Sequence, residues 1–181
     1  MASEPGAVTV RQARPEDVGR LQAIQLAAGN AFRDIGMPAA ADTFPLPPES
    51  LSGYRRAGRA WVAADEHDEP VGFVVFDVVD GCAHIEQVSV HPAHAGQRIG
   101  AMLLEYVADW AVHQEMPAMT LITFRGVPWN APYYERLGFR ELAETEVTPE
   151  LAALNAGQGG NSAARVCMLR ELTPADGKKE N

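Results

Sequence analysis

The run His91-Pro92-Ala93-His94-Ala95-Gly96-Gln97-Arg98-Ile99-Gly100 sits between a strand-like stretch and a helix-like one, and it gathers residue types that hold ligands. A helix start offers unpaired backbone N–H groups and the positive end of the helix dipole, which together attract an anion. Gly96 and Gly100 lack a Cβ and let the backbone close on a ligand, while Arg98 adds a fork of donors. A phosphate, a metal ion or no ligand at all are the readings such a loop allows. It is not a Walker A loop, since no Gly-Lys-Ser/Thr follows, and the G-x-G-x-x-G order of a Rossmann fingerprint is absent. Three histidines, His84, His91 and His94, offer three nitrogens at best, with no Cys or carboxylate cluster beside them, so no metal is expected. Cys82 and Cys167 make neither a disulfide framework nor a metal spacing.

These residues need elements to carry them. "VTVRQA" alternates like a half-buried strand, and "RPEDVGRLQAIQLAAGNAF" follows with Pro15, Glu16 and Asp17 suited to a first helical turn. Val18, Leu21, Ile24 and Leu26 are expected to supply that helix's apolar face. The Pro- and Gly-rich segment from Arg33 to Arg59 reads as loop and short helix, of the kind that shapes a substrate pocket. "AWVAAD", "VGFVVFDVV" and "AHIEQVSVHP" read as three successive strands, the last two joined by an Asp80-Gly81 hairpin signal. Ile99, Leu103, Tyr106, Val107 and Trp110 then recur at helical spacing, and Pro117 marks the stop. "AMTLITF" reads as a strand, "APYYERLG" as a short helix ended by Gly138, and "FRELAE" as a strand. "LAALNAGQGGNSA" reads as a flexible excursion before the last strand, "RVCMLREL". The order predicts a mixed α/β single layer of sheet with helices on its faces.

The totals bound the function. A chain of 181 residues fits one domain, and 46% hydrophobic with 22% charged residues is ordinary for a globular protein. A net charge of −9 argues against a nucleic-acid partner and is compatible with a cationic one. No signal peptide is read at the N-terminus and no apolar run approaches a membrane span, so a cytoplasmic location and no membrane partner are expected.

Taken together, "VTVRQARPEDVGRL", "VSVHPAHAGQRIGAMLL" and "WNAPYYERLGF", in that order, resemble the GCN5-related N-acetyltransferase (GNAT) superfamily across roughly Val8 to Leu172. The resemblance implies a GNAT-like domain over residues 7–173 with flexible termini at 1–6 and 174–181. Its sheet would be mixed and mostly antiparallel, splayed between the fourth and fifth strands. The implied co-substrate is acetyl-CoA. Its pyrophosphate would lie on Ala95, Gly96, Gln97, Arg98, Ile99, Gly100 and Ala101, with Asn130 as a further cofactor contact or simply a helix N-cap. The family pattern is Arg/Gln-x-x-Gly-x-Gly/Ala. Here Ala95 stands where Arg or Gln is usual, and Arg98 where the first motif glycine is usual. Resemblance also implies a bulge in the strand ending at Val90. Backbone groups of Val88, Ser89 and Val90 would then pair with pantetheine, and the Val88 N–H would polarise the thioester carbonyl.

Tyr134 lies five residues before Phe139, where the family places the tyrosine that protonates the departing thiolate; its neighbour Tyr133 would point about 100° away on a helix. An alkyl amine of pKa about 10 is only about one part in a thousand neutral at pH 7, so a base is needed. Strand alternation puts His84, Glu86, Val88 and Val90 on one face, which makes Glu86 the candidate base and His84 the alternative or relay. Neither cysteine stands beside a motif residue, which favours direct attack in a ternary complex over an acyl-enzyme. The leading expectation is an N-acetyltransferase acting on a small-molecule or peptide amine, with a homodimer allowed by the family. The alternative is an idle acyl-CoA-binding sensor. A toxin acting on charged tRNA would want a basic surface, which −9 does not offer. The pocket is expected between Phe32 and Tyr54 and around Leu154 to Ser162. Phe32, Phe44, Tyr54 and Trp129 stand either as an apolar wall or as core.

Overall fold

The computed structural model describes residues 6–43, 45–158 and 164–173. Its strands are β1 (Thr9–Gln12), β2 (Ala60–Ala64), β3 (Pro70–Val79), β4 (Cys82–Val90), β5 (Ala118–Phe124), β6 (Arg140–Glu141) and β7 (Arg165–Glu171). Its helices are α1 (Val18–Asp34), α2 (Pro38–Thr43), α3 (Pro48–Arg56), α4 (Ile99–His113), α5 (Ala131–Arg136) and α6 (Pro149–Gly157). The strands form a seven-stranded sheet in the order β1-β2-β3-β4-β5-β7-β6. The β1–β2, β2–β3, β5–β7 and β6–β7 pairs are antiparallel and β4–β5 is parallel, the mixed, mostly antiparallel α/β sheet that the sequence leads one to expect. By contact density the chain divides into two compact units, Met1–Asp77 with Glu86–Tyr106 and Val78–Ile85 with Val107–Asn181.

In the first unit, a 3-10 turn over Pro15–Asp17 leads into α1. Asp17 is buried and accepts from the Arg14 N–H at 2.7 Å and from Arg11 Nη1 at 2.7 Å, which ties the start of α1 to β1. The core here gathers Leu21, Ile24, Leu51, Val62, Phe73 and Val75, with Leu46 and Tyr54 packed against it. Each such large side chain, fully buried, contributes about 1.5–3 kcal/mol. The buried face of α1 is Leu21, Ile24, Gln25, Gly29 and Phe32, whereas Leu26 is 57% exposed. Leu26 is two residues past Ile24, roughly 200° around the helix, so counting it with the apolar face was wrong. Gly72 in β3 has a definite reason to be glycine. A Cβ there would lie 3.1 Å from Ile99 Cγ2, 3.1 Å from the Ser89 carbonyl oxygen and 3.3 Å from Val90 Cγ2. Its absence lets the end of β4 and the start of α4 press onto β3.

In the second unit β5 lies between the start of β4 and β7. Its register runs Ala83–Met119 to Ile85–Leu121 with β4, and Ala118–Glu171 to Phe124–Arg165 with β7. Asp80 and Gly81 both have positive φ, 52° and 73°, as a type I′ hairpin turn requires. Leu142, Leu151 and Cys167 form a smaller core, joined by Val79, Ile122, Val147, Leu154 and Leu169. Two expectations need correction here. The strand expected over "FRELAE" shrinks to Arg140–Glu141, and part of the expected excursion is the helix α6. The Thr148 hydroxyl accepts from the Leu151 N–H at 3.2 Å and Pro149 occupies the first turn, a start signal that outweighs the Gly and Asn further on. In α4, Ile99, Leu103 and Val107 are buried as expected, but Tyr106 is 46% exposed, and Leu104, Ala108 and Ala111 complete the face instead. Cys82 is half-buried and Cys167 buried; burial pushes both thiols above their ordinary pKa.

Candidate active site

β4 carries the expected chemistry, and its residues have distinct surroundings. His84 is 1% exposed, with Nδ1 2.8 Å from the Thr120 hydroxyl. Glu86 is half-buried and makes no hydrogen bond or ion pair among the described residues. Burial, aided by the like charge of Asp77, raises its carboxyl above the ordinary value. Val88 and Val90 are half-buried, while Gln87 and Ser89 are buried and joined through Gln87 Nε2 to Ser89 Oγ at 2.8 Å. The His91 N–H donates to the Val71 carbonyl at 2.8 Å.

Glu86 opens on a cleft of ≈ 450 Å³ lined by Leu46, Ser50, Gly53, Tyr54, Ala57, Asp77 and Glu86. Ser50, Gly53 and Tyr54 share one face of α3 and its C-cap residue Ala57 continues it, because i, i+3, i+4 and i+7 coincide on a helix. Tyr54 donates its hydroxyl proton to Asp77 Oδ2 at 2.9 Å, and Arg59 Nη1 holds the other Asp77 oxygen at 3.1 Å. Burial, then the charges of Glu86 and Asp77, push the Tyr54 phenol well up. The pocket thus draws on the Phe32–Tyr54 segment, as expected. Phe32 itself is core at 5% exposure, Tyr54 lines the cleft, and Trp129 is 38% exposed in the second unit. Phe44 and residues 159–163 lie outside the described residues, as do 1–5 and 174–181. Sequence reasoning missed Asp77, Gly53 and Arg59. The available signal was Asp77, the one charged residue in the apolar run "VGFVVFDVV".

The loop before α4 is exposed from Ala95 through Arg98, while Ile99 is buried and anchors the helix. The Ala93 N–H donates to His91 Nδ1 at 3.2 Å, and the His94 and Ala95 N–H groups turn back to His91 and Pro92 carbonyls. His91 therefore acts as a turn cap; burial, then Arg20 and His94, lower its pKa. Gly96 has φ +79° with open space where a Cβ would be, and Arg98 has φ +59°. Arg98 thus holds the left-handed conformation that glycine adopts freely, at the position where the motif carries glycine. The first bond of α4 runs from the Met102 N–H to the Arg98 carbonyl at 3.0 Å. The N–H groups of Ile99, Gly100 and Ala101 therefore precede the ladder, on a helix of 15 residues. The loop fits a diphosphate.

In the second unit Tyr134 is half-buried on α5, ring to ring with Tyr133 at 5.4 Å and Phe139 at 5.8 Å. Burial first, then Tyr133, raise its phenol pKa, so it keeps its proton at neutral pH. Asn130 is buried at the N-cap position of α5, where its side chain makes no cap bond. Among the described residues, no group of three or more His, Cys, Asp or Glu is placed to hold a metal ion, and no helix is long and apolar enough to cross a membrane.

Comparisons with known proteins converge on one family. A model of the acetyltransferase (GNAT) family matches residues 30–139. The peptidyl-lysine N-acetyltransferase YjaB of Salmonella typhimurium (strain LT2) is 26% identical over 141 residues, covering 77% of this chain and 88% of that protein. Among solved structures, N-acetylglutamate synthase from Neisseria gonorrhoeae, complexed with coenzyme A and N-acetyl-glutamate, superposes with a TM-score of 0.71 at 16% identity over 94% of this chain. The chain spans only 36% of that protein's length. The PaiA N-acetyltransferase of Thermoplasma acidophilum, in complex with coenzyme A, gives 0.68 at 14% identity, covering 91% of this chain and 99% of that one.

Proposed function

The chain belongs to the acetyltransferase (GNAT) family, and from that membership we propose that it moves an acetyl group from acetyl-CoA to a primary amine by direct attack. The observation that carries the reading is the half-buried, unpaired carboxylate of Glu86 at the wall of a cleft, four residues before the strand ends and the anion-fitting loop begins. Acetyl-CoA supplies an activated acyl carbon. Ala95, Gly96, Gln97, Arg98, Ile99, Gly100 and Ala101 hold its diphosphate by backbone N–H groups and the Arg98 guanidinium, and Asn130 offers its uncapped amide as a further contact. Because the His91 N–H points to β3, alternation counts the Val88 and Val90 N–H groups to the other edge of β4, where they meet the pantetheine arm, while Ser89 between them turns its backbone to β3. The Val88 N–H steadies the oxyanion that develops on the thioester.

Glu86 takes a proton from the ammonium, directly or through a water, and the freed amine forms the new C–N bond. The nitrogen passes its second proton to water as the C–S bond breaks, Tyr134 gives its phenolic proton to the departing sulfur, and solvent then reprotonates Tyr134 and takes the proton from Glu86. His84, sealed from solvent beside Thr120, acts as a relay and is out of a substrate's direct reach. The acceptor is a peptide or small-molecule amine, in keeping with the YjaB relatives named for peptidyl-lysine.

Calorimetric titration with acetyl-CoA, CoA and ATP tests the cofactor, and thiol release with amines tests the reaction. Acetyl-CoA is expected to bind in the micromolar range without comparable ATP binding. Glu86→Gln and Tyr134→Phe should each lower kcat by about 10²- to 10⁴-fold while leaving acetyl-CoA affinity within about threefold. Binding that survives with no turnover of any amine would make the protein an acyl-CoA sensor.

A further inference from the structure

We propose that Tyr54 and Gly53 decide which amines enter, admitting a slender, unbranched primary alkylammonium group and turning away branched or anion-bearing amines. The inference rests on the acetyl-transfer reading of the same cleft and adds the acceptor's chemistry to it.

Hydrogen-bond roles come first. The only proton of the Tyr54 hydroxyl is committed to Asp77 Oδ2 at 2.9 Å, and Arg59 fixes that carboxylate from its other oxygen at 3.1 Å. Tyr54 can therefore offer the cleft only lone pairs. Glu86 on the same lining is acceptor-only while ionised. Two fixed acceptors suit a group that brings several N–H donors and no lone pair, which is an ammonium. A carboxylate would meet like charge and no matching donor on that wall. Of the lining side chains, only the Ser50 hydroxyl can turn to either role.

Shape comes second. α3 faces the carboxylates with Ser50, Gly53 and Ala57, all small, and with Leu46 beside them as an apolar flank. Gly53 lies inside a helix, where glycine is unfavourable, and its φ is not in the left-handed region. A Cβ there would meet no atom within 4 Å. Backbone conformation therefore does not explain this glycine, and crowding does not either; what it provides is width in the cleft. On this reading a methylene chain lies along that width and a carbon branched next to nitrogen is turned away.

The test uses the full-length protein with acetyl-CoA and four acceptors: n-pentylamine, a blocked peptide with one lysine, cyclohexylamine and β-alanine. The first two carry the same unbranched end, and their ratio reports whether a free amine or a peptide is preferred. At least one should exceed cyclohexylamine and β-alanine by about tenfold or more in kcat/KM. Tyr54→Phe should raise KM for the better acceptor about tenfold, one hydrogen bond to a charged donor, with kcat changed less. Gly53→Leu should raise it further, and Gly53→Ala, which suits a helix, should raise it severalfold in a fold at least as stable. All three should bind acetyl-CoA as the parent does. Unchanged KM in the variants, equal use of cyclohexylamine, or turnover of cyclohexylamine or β-alanine but of neither unbranched acceptor would overturn the inference alone, whereas acetyl-CoA binding with no turnover of any of the four would overturn the acetyl-transfer reading with it. Failure of the parent to bind acetyl-CoA would overturn the acetyl-transfer reading beneath it as well.

Discussion

A carboxylate proposed as a base near neutral pH should be held where its charge is uncomfortable, and Glu86 has such surroundings. Among the described residues its carboxylate has no hydrogen-bond donor; it is half-buried and shares the cleft wall with Asp77. Its folded pKa is therefore above its unfolded one, so the native state binds a proton more tightly than the unfolded chain. Stability from this group is fully present below the unfolded pKa and falls as pH rises through the folded pKa. Glu86→Gln should accordingly raise the thermal midpoint at neutral pH while suppressing turnover, and the gain should vanish in mild acid. The acid limb of kcat/KM should lie above the ordinary carboxylate range, and Asp77→Asn should move it downward, since a like charge is removed. A limb that stays put would show that burial alone sets the base. Glu86 was legible in the sequence because strand alternation gives it a face. Asp77 was not, because a lone acid in an apolar strand does not name the partner that folding brings to it.

At the scale of elements, the loop before α4 combines the proposed diphosphate cradle with backbone strain. A non-glycine residue at φ +59° costs on the order of 1 kcal/mol relative to glycine. Arg98→Gly should stabilise the ligand-free protein by about that amount, read in a denaturant titration. Arg98→Ala keeps the strain and loses the guanidinium, and should weaken acetyl-CoA more than tenfold by calorimetry; an unchanged affinity would leave the loop backbone as the anchor. Elsewhere, Thr148→Ala should cost about 1 kcal/mol, because the Thr148 hydroxyl caps α6 and also meets Asp80 at 2.5 Å. The strand and helix order was readable from period and turn chemistry, down to Asp80-Gly81. α6 was hidden behind Gly157 and its polar neighbours, and Leu26 misled because two apolar residues in a row look alike until the helix phase is fixed. The motif loop was readable as the turn that opens α4, yet the left-handed Arg98 was not, since nothing in its side chain announces that conformation.

For the whole molecule, ligand binding and stability are one equilibrium. Acetyl-CoA at a hundred times its Kd should add about 2.7 kcal/mol to unfolding and raise the thermal midpoint by several degrees, an increment absent with ATP. The net charge of −9 does not oppose a cationic acceptor, and it weighs against a nucleic-acid partner. The two cysteines bear on how turnover can be watched. Both thiols are shielded and raised by burial, so little reactive thiolate is present on the native protein at neutral pH. A chromogenic disulfide added during the reaction would therefore report sulfur freed from the co-substrate above a slow protein background from half-buried Cys82, and would register buried Cys167 when the chain unfolds. One reagent in one cuvette would follow both catalysis and loss of structure.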